Sequence, residues 1–216
     1  MSLQHTALPN DPDIHMGEVF FIGLLGAEAT QKLGVALGQA LLKFFKLTST
    51  HSCLIAAQGD LGAGKTTFAQ GLAMGLGVQD RYINSPTYAL IQSYLGEVPF
   101  HHADLYRLSD EDEVYFTGIE DLMDEGICFI EWPERAVSLF DRPHARLVLS
   151  VLGPEDQVEG YLSEDGTWNH DGSKAQTQIE GRKAQLTTYG LSTEAFQDLK
   201  QMMQHILMQQ TLHSEE

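Results

Sequence analysis

The chain has 216 residues, of which 43% are apolar and 20% are charged, so it can bury one core without disulfide or metal support. Its formal net charge of −17 argues against direct binding to a nucleic-acid backbone or to an anionic membrane surface. Much of this charge is concentrated, since residues 96–135 include 12 acidic and only 2 basic side chains. This acidic segment is either a docking face for a basic partner or an ordinary solvated surface.

The cysteines and the N-terminus bear on the compartment. Cys53 and Cys128 each lie in an apolar run, which predicts buried thiols in a reducing compartment. No apolar stretch is long enough to cross a bilayer, and the first residues carry no basic leader. We therefore expect a cytoplasmic protein with no membrane partner. Residues 1–17 contain Pro9 and Pro12 and show no apolar period, which predicts a flexible N-terminal arm.

Short apolar runs alternate with helical periods along the rest of the chain, which predicts a single α/β domain over 18–216 with a mainly parallel sheet. Residues 153–181, rich in Gly, Asp, Ser and Gln, predict a loose hairpin or an insertion. In chain order, the predicted elements are a strand at 18–22, a helix at 27–45, a strand at 53–58, a helix at 65–76, strands at 89–95 and 99–107, short acidic helices at 109–116 and 119–124, a strand at 127–132, a helix from Pro133, strands at 146–152 and 183–189, and an amphipathic helix at 192–209.

A phosphate-binding motif lies between the strand at 53–58 and the helix that follows it. Residues 59–66, GDLGAGKT, fit the pattern G-x-x-x-x-G-K-[ST] in full, with the strand and the helix that this motif requires on either side. Its backbone N–H groups and the helix N-terminus favour phosphate oxygens. Lys65 is suited to the β- and γ-phosphates, Thr66 to Mg²⁺ and Thr67 to the α-phosphate. The remaining loop residues are Gly59, Asp60, Leu61, Gly62, Ala63 and Gly64.

A magnesium nucleotide also needs an acid near the loop. Glu131 ends the apolar run at 127–132 and is the first candidate. Asp104 is the second candidate, for the metal or for an attacking water, because it shares one face of a predicted strand with His102 and Tyr106. A plain surface ladder of side chains would give the same alternation. In the loop at 84–87, Thr87 is suited to sense a γ-phosphate, although Ser-Pro turns also occur without function.

Several classes of P-loop protein do not fit the sequence. Small-molecule kinases clamp phosphates with arginines, and this chain has six arginines without a cluster. The guanine-reading N/T-K-x-D string and the D-x-x-G switch of GTPases are both missing. A small nucleotide-hydrolysing accessory protein remains the favoured class. The alternatives are a non-hydrolysing, ATP-dependent binding module and a small-molecule kinase.

Four motifs together resemble the TsaE (YjeE) family. They are GDLGAGKTTFAQGLAMGLGV at 59–78, SPTYALIQSY at 85–94, HADLYRL at 102–108 and IEWPERA at 130–136. The resemblance covers about residues 18–151 and resumes weakly at 181–190. Members of this family are ATPases required for threonylcarbamoylation of adenosine 37 in tRNAs that read ANN codons. The N-terminal arm and the segment 153–181 have no counterpart in the short members.

The resemblance implies a set of roles at matching positions. The P-loop would hold ATP, Thr66 and Glu131 would hold Mg²⁺, and Asp104 would be important for hydrolysis. Trp132 would lie near the nucleotide, while Glu28 and Thr30 would contact the base. The implied partners are TsaD and TsaB, which form the transferase complex. This protein would use ATP to return that complex to its starting state between reaction rounds, and it would contact tRNA only through the complex. Arg81 and Arg107 are the candidates for an arginine that assists hydrolysis, and the resemblance does not decide whether a partner supplies one.

Overall fold

The computed structural model describes residues 16–48, 52–80, 82–110, 112–136, 145–169, 181–189 and 193–212. Within these segments the strands are β1 (Met16–Leu25), β2 (Cys53–Gln58), β3 (Ile91–Tyr94), β4 (Phe100–Asp104), β5 (Ile127–Glu131), β6 (Ala145–Val151), β7 (Tyr161–Leu162), β8 (Trp168–Asn169) and β9 (Gly181–Tyr189). The helices are α1 (Ala27–Leu47), α2 (Lys65–Gly75), α3 (Asp112–Tyr115), α4 (Ile119–Leu122) and α5 (Thr193–Leu212).

The strands form one sheet in the order β3-β4-β5-β2-β6-β9-β1-β7-β8. The central strands β4, β5, β2 and β6 run parallel to one another. Antiparallel strands flank this group, with β3 on β4 and β9 on β6. A parallel strand is covered on both faces and is therefore apolar throughout, which is the pattern of β2 and β5. The predicted fold class is confirmed: an α/β sheet with a parallel centre, flanking helices and additional antiparallel strands.

The two faces of β5 show how the sheet divides the core. Ile127 and Phe129 belong to a large apolar cluster that includes side chains of α1, α2 and α5. Cys128 and Ile130, which point to the opposite face, belong to a smaller cluster that includes side chains of α3 and α4. Helices therefore cover both faces of the parallel centre. The polar side chains at the carboxyl end of β5 lie between these two layers.

Several predicted elements differ from the observed ones in where they begin or end. The strand predicted at 89–95 begins only at Ile91, because Leu90 has a φ of 64° and its N–H donates to the carbonyl of Pro86 in a turn. The strand predicted at 99–107 ends at Asp104. The helix predicted from Pro133 begins at that residue, but it is a single 3-10 turn, Pro133–Arg135.

The segment 153–169 extends the sheet at its far edge. Its strands β7 and β8 form an antiparallel hairpin, and β7 pairs in parallel with β1. Asp156 also forms an ion pair with Lys183 of β9. Residues 170–180 lie outside the described residues. At the other end of the chain, β1 begins at Met16, within the segment predicted as an arm, and residues 1–15 lie outside the described residues.

Both cysteines are free thiols, and the predicted burial is confirmed for Cys128, whereas Cys53 is partly buried. Burial raises the pKa of Cys53 to about 11 and that of Cys128 to about 12. Both thiols are therefore protonated at neutral pH and unsuited to nucleophilic chemistry. Among the described helices, none is long and apolar enough to cross a membrane.

Candidate functional site at the carboxyl ends of the parallel strands

The loop between β2 and α2 curls because glycines occupy its restricted positions. Gly64, just before α2, has a φ of 103°, and a Cβ there would lie 3.3 Å from the side chain of Thr30. Gly59 has a φ of 147°, and a Cβ there would lie 2.4 Å from the carbonyl oxygen of Leu149. Neither position accepts a side chain without strain. The loop leads into the first turn of α2, whose N–H groups have no carbonyl acceptor within the helix. Such a helix end is chemically suited to an anion.

Lys65 begins α2 and is buried, with 4% of its surface exposed. Its Nζ donates to the carbonyl oxygens of Gly59 (2.6 Å) and Asp60 (3.1 Å). It also lies 3.9 Å from the centre of the Trp132 ring. Burial lowers the pKa of Lys65, while the charges of four acids, the strongest being Glu131, oppose that shift. The side chain of Lys65 therefore bonds back to the loop that precedes it and holds its ammonium group beside that loop.

Glu131 is the acid that the structure brings to the P-loop. It ends β5, directly beside Ala57 of β2, and only 3% of it is exposed. The hydroxyl of Thr66 donates to its Oε1 over 2.8 Å. The Nε2 of His102, on the neighbouring strand β4, lies 2.9 Å from the same oxygen. Glu131 therefore joins the start of α2 to the sheet, which excludes an exposed strand-end position.

Asp104 ends β4 in register with Glu131 and is also buried. Its Oδ2 accepts hydrogen bonds from the hydroxyls of Ser85 and, over 2.6 Å, Thr87. Its Oδ1 accepts from the backbone N–H of Tyr106 over 3.0 Å. The carboxylate of Asp104 thus anchors the loop at 84–87 to the site. The alternating pattern of this strand also fits a ladder of surface side chains, and the burial of Asp104 excludes that interpretation.

Aromatic rings border the site. Trp132 adopts a φ of 60°, a conformation that non-glycine residues rarely populate, and its ring lies 4.9 Å from that of Tyr106. Arg107 lies with its guanidinium 3.8 Å from the centre of the Tyr88 ring. Tyr88 is 85% exposed, so this pair lies on the surface beside Thr87. Arg81 lies outside the described residues.

The two residues expected to contact a base are placed differently. Thr30 is buried in the first turn of α1 and packs against Gly64 of the P-loop. Glu28 lies in the same turn but is exposed. The structure therefore brings Thr30 directly to the loop, whereas Glu28 stands at the edge of this region.

The sequence pattern does not indicate the His102–Glu131 contact. The alternation along β4 places His102 and Asp104 on one face, but it does not say which strand lies beside them. In the observed register His102 pairs with Phe129, so Glu131 is its diagonal neighbour, within reach of long side chains. The sequence pattern also does not indicate that Ser85 donates a hydrogen bond to Asp104, although it does mark the loop at 84–87 as a candidate sensor of the γ-phosphate.

The donor set defines what this site can hold. Within the described residues, no group of three or more His, Cys, Asp and Glu side chains is arranged to hold a metal ion alone. The hydroxyl of Thr66 and the carboxylate of Glu131 are oxygen ligands that suit a hard cation completed by phosphate oxygens and water. A parallel α/β sheet with this strand–loop–helix unit at its carboxyl edge defines an α/β protein of the P-loop NTPase type.

The family model described as "Threonylcarbamoyl adenosine biosynthesis protein TsaE" matches residues 25–158. The chain belongs to the TsaE family of tRNA threonylcarbamoyladenosine biosynthesis proteins, which confirms the resemblance found in its motifs. The segment after residue 158, which includes β7 to β9 and α5, lies outside the matched region.

Individual relatives agree with this assignment. A TsaE protein of Nostoc sp. is 42% identical over 121 residues, which cover 53% of this chain and 68% of the relative. A TsaE protein of Haemophilus influenzae is 36% identical, with 56% and 73% covered. A crystal structure of YdiB from Bacillus subtilis superposes with a TM-score of 0.55 over 88% of this chain and 98% of that one. At 21% identity, this last likeness concerns the fold alone.

Proposed function

We propose that this chain binds Mg-ATP at the P-loop and hydrolyses it in support of tRNA threonylcarbamoylation at adenosine 37. The observation that carries the proposal is the 2.8 Å hydrogen bond from Thr66 to Glu131. It joins the residue after the P-loop lysine to a buried acid on the next parallel strand, as a magnesium nucleotide site requires. The assignment to the TsaE family indicates the pathway, which is tRNA threonylcarbamoyladenosine biosynthesis.

The residues fit Mg²⁺ and triphosphate in chemical terms. The hydroxyl of Thr66 can donate its proton to Glu131 while its lone pairs face a cation. Lys65 supplies a point charge for the β- and γ-phosphates, and the first turn of α2 supplies N–H donors. Bound Mg²⁺ would neutralise charge on the phosphates. Asp104 holds Ser85 and Thr87 at the edge of the site, where these hydroxyls can respond to a γ-phosphate.

The surface near the loop at 84–87 supports a role in assembly. Tyr82 and Tyr88 in this region and Leu61 in the P-loop are large apolar side chains that are 81%, 85% and 79% exposed. Exposed aromatic residues beside a nucleotide site are suited to contact a partner. The proposed partner is the TsaD–TsaB complex, with ATP ordering the loop and hydrolysis releasing the partner. Because the chain has a net charge of −17, which disfavours contact with a nucleic-acid backbone, the proposed tRNA contacts are made by that complex.

The proposal is tested by measuring ATP affinity and phosphate release for three variants. Lys65→Ala should weaken ATP binding, because it removes the cation at the phosphates. Glu131→Ala and Asp104→Ala should lose turnover by at least about 10-fold while ATP binding changes less. Glu120→Ala, on the exposed side of α4, is the matched acid control and should behave as wild type.

Three results would change the proposal. ATP binding with no phosphate release under any condition would favour the non-hydrolysing binding module. Transfer of the phosphate to a metabolite would favour the small-molecule kinase. Wild-type turnover in either acid variant would remove that acid from the site.

A further inference from the structure

His102 is a buried polar side chain without an assigned role. It is 0% exposed, and its Nε2 lies 2.9 Å from Oε1 of Glu131. Because an ionised carboxylate only accepts hydrogen bonds, the network assigns the proton to Nε2. Among the described residues, the other ring nitrogen, Nδ1, has no hydrogen-bond partner. The ring therefore has one polar contact, and that contact is with Glu131.

Two aromatic side chains pack against the ring of His102. Its ring stacks on Phe100 with centroids 6.2 Å apart and meets Phe129 edge-on at 5.7 Å. An apolar residue would fill this space without burying an unpaired nitrogen, which costs stability. The polar ring at this place is explained by its hydrogen bond to Glu131, and the aromatic packing fixes the ring's orientation.

Two hydrogen bonds converge on one oxygen of Glu131. Thr66 donates to Oε1 from the P-loop side and His102 donates to it from the sheet side. Together they fix the rotation of the carboxylate, and neither of them uses its other oxygen, Oε2. Groups that hold a metal-associated acid in this way set its orientation and its basicity, and their loss typically costs about 10- to 100-fold in metal affinity or activity.

We propose that His102 is a positioning residue that orients Glu131 toward the Mg²⁺ of the nucleotide. The inference rests on the proposed Mg-ATP site and adds to it the residue that holds its acid. Because the hydrogen bond of His102 is to Glu131, the role proposed for His102 is exerted through Glu131 and requires no contact of its own with the nucleotide or the metal. The neighbouring His101 provides the contrast, because its ring nitrogens contact Ser93 and the carbonyl of Glu125 on the other side of the strand.

The test compares variants that keep or remove the donor. In His102→Gln the side-chain amide reaches the position of Nε2, whereas in His102→Asn it reaches only that of Nδ1. His102→Phe keeps the aromatic packing and has no donor. His101→Phe is the matched control on the same strand. For each folded variant, ATP affinity is measured in EDTA and with Mg²⁺ by calorimetry, and turnover is measured at saturating Mg-ATP.

We expect His102→Phe and His102→Asn to lose about 10- to 100-fold in the Mg²⁺-dependent gain of ATP affinity or in turnover. Their affinity for ATP in EDTA should stay within about 2-fold of wild type, since the P-loop is unchanged. His102→Gln should recover most of the loss, and His101→Phe should match wild type in both readouts. If His102→Phe does not fold, the Gln and Asn pair decides the question.

Equal behaviour of the Gln and Asn variants, whether both normal or both impaired, would overturn the inference and leave His102 a packing residue. A failure of the proposed function would be seen in the wild-type chain instead, as absence of ATP binding or of any effect of Mg²⁺. That result would overturn the proposed function and the role of His102 together.

Discussion

Buried hydroxyl and carboxylate groups hold the loop at 84–87 against the end of β4. Thr87 donates to Oδ2 of Asp104 over 2.6 Å, and Ser85 contacts the same oxygen. A hydrogen bond to a charged acceptor contributes about 1.5–3 kcal/mol. At the scale of single residues, Asp104 therefore holds the loop at 84–87, and the position of that loop depends on it.

Thr87→Val tests this dependence, since it keeps the shape of the side chain and removes the hydroxyl. We expect phosphate release to fall by about 10-fold, while ATP affinity stays near that of wild type because the P-loop contacts remain. Ser93→Ala removes a hydroxyl that contacts His101 instead and should leave turnover unchanged. Wild-type turnover in Thr87→Val would mean that this contact has no part in hydrolysis.

The sequence predicts these residues better than it predicts their contacts. The P-loop and Glu131 follow from local patterns, namely the motif and an acid that ends an apolar run. The alternation in β4 also places His102 and Asp104 on one face. The burial of His102 and Asp104 cannot be predicted from this alternation, because it depends on β4 lying between β3 and β5. That order results from pairing between distant segments, which a local pattern does not carry.

At the scale of elements, the position of α2 depends on close packing against α1. A Cβ on Gly71 of α2 would lie 1.9 Å from the carbonyl oxygen of Gln31, and one on Gly34 of α1 would lie 2.3 Å from that of Phe68. The two helices approach backbone to backbone at these glycines. Since α2 begins with Lys65 and Thr66, this approach sets the place of the P-loop residues.

Gly71→Ala should destabilise the fold, although alanine is the better helix former. The gain of about 1 kcal/mol in helix propensity is smaller than the cost of forcing two backbones apart, about 2–3 kcal/mol at the upper end of the range for an overpacked site. We expect a net loss of about 1–2 kcal/mol in the free energy of unfolding by urea denaturation. Met74→Ala, at an exposed position of the same helix, should change it by less than about 0.5 kcal/mol. Equal stability of Gly71→Ala and wild type would contradict the close approach.

The segment 153–169 is held to β9 by Asp156. Its hydrogen bond with Lys183, together with that from the N–H of Gly153, lowers the pKa of Asp156 below its ordinary value of 3.8. A carboxyl whose pKa is lower in the folded state contributes stability above the unfolded pKa, and this contribution is lost as the pH falls through the folded value.

Asp156→Asn should therefore cost about 0.5–1 kcal/mol in the free energy of unfolding at pH 7, the range for a partly exposed ion pair. The difference from wild type should shrink as the pH falls below about 4, where the wild-type carboxyl also loses its charge. Denaturant unfolding at pH 7 and pH 3 measures both values, with the exposed Glu155→Gln as the control. A difference that is the same at both pH values would exclude the charge of Asp156 as its cause.

The whole molecule combines a net charge of −17 with a proposed nucleotide site that has exposed aromatic side chains beside it. Of the candidate arginines, Arg107 lies on the ring of Tyr88. An arginine at the transferring phosphate contributes about 10³- to 10⁵-fold to hydrolysis in P-loop proteins. With Arg107 held on Tyr88, the chain alone should be a slow ATPase. Contact with a partner at the loop at 84–87 would change the rate.

Phosphate release from Mg-ATP, measured for the chain alone and with the TsaD–TsaB complex, tests this account most directly. We predict slow release by the isolated chain, a clear rise when the complex is added, and loss of that rise in Glu131→Ala. Fast release by the isolated chain that is unchanged by the complex, or no release in either case, would contradict the account.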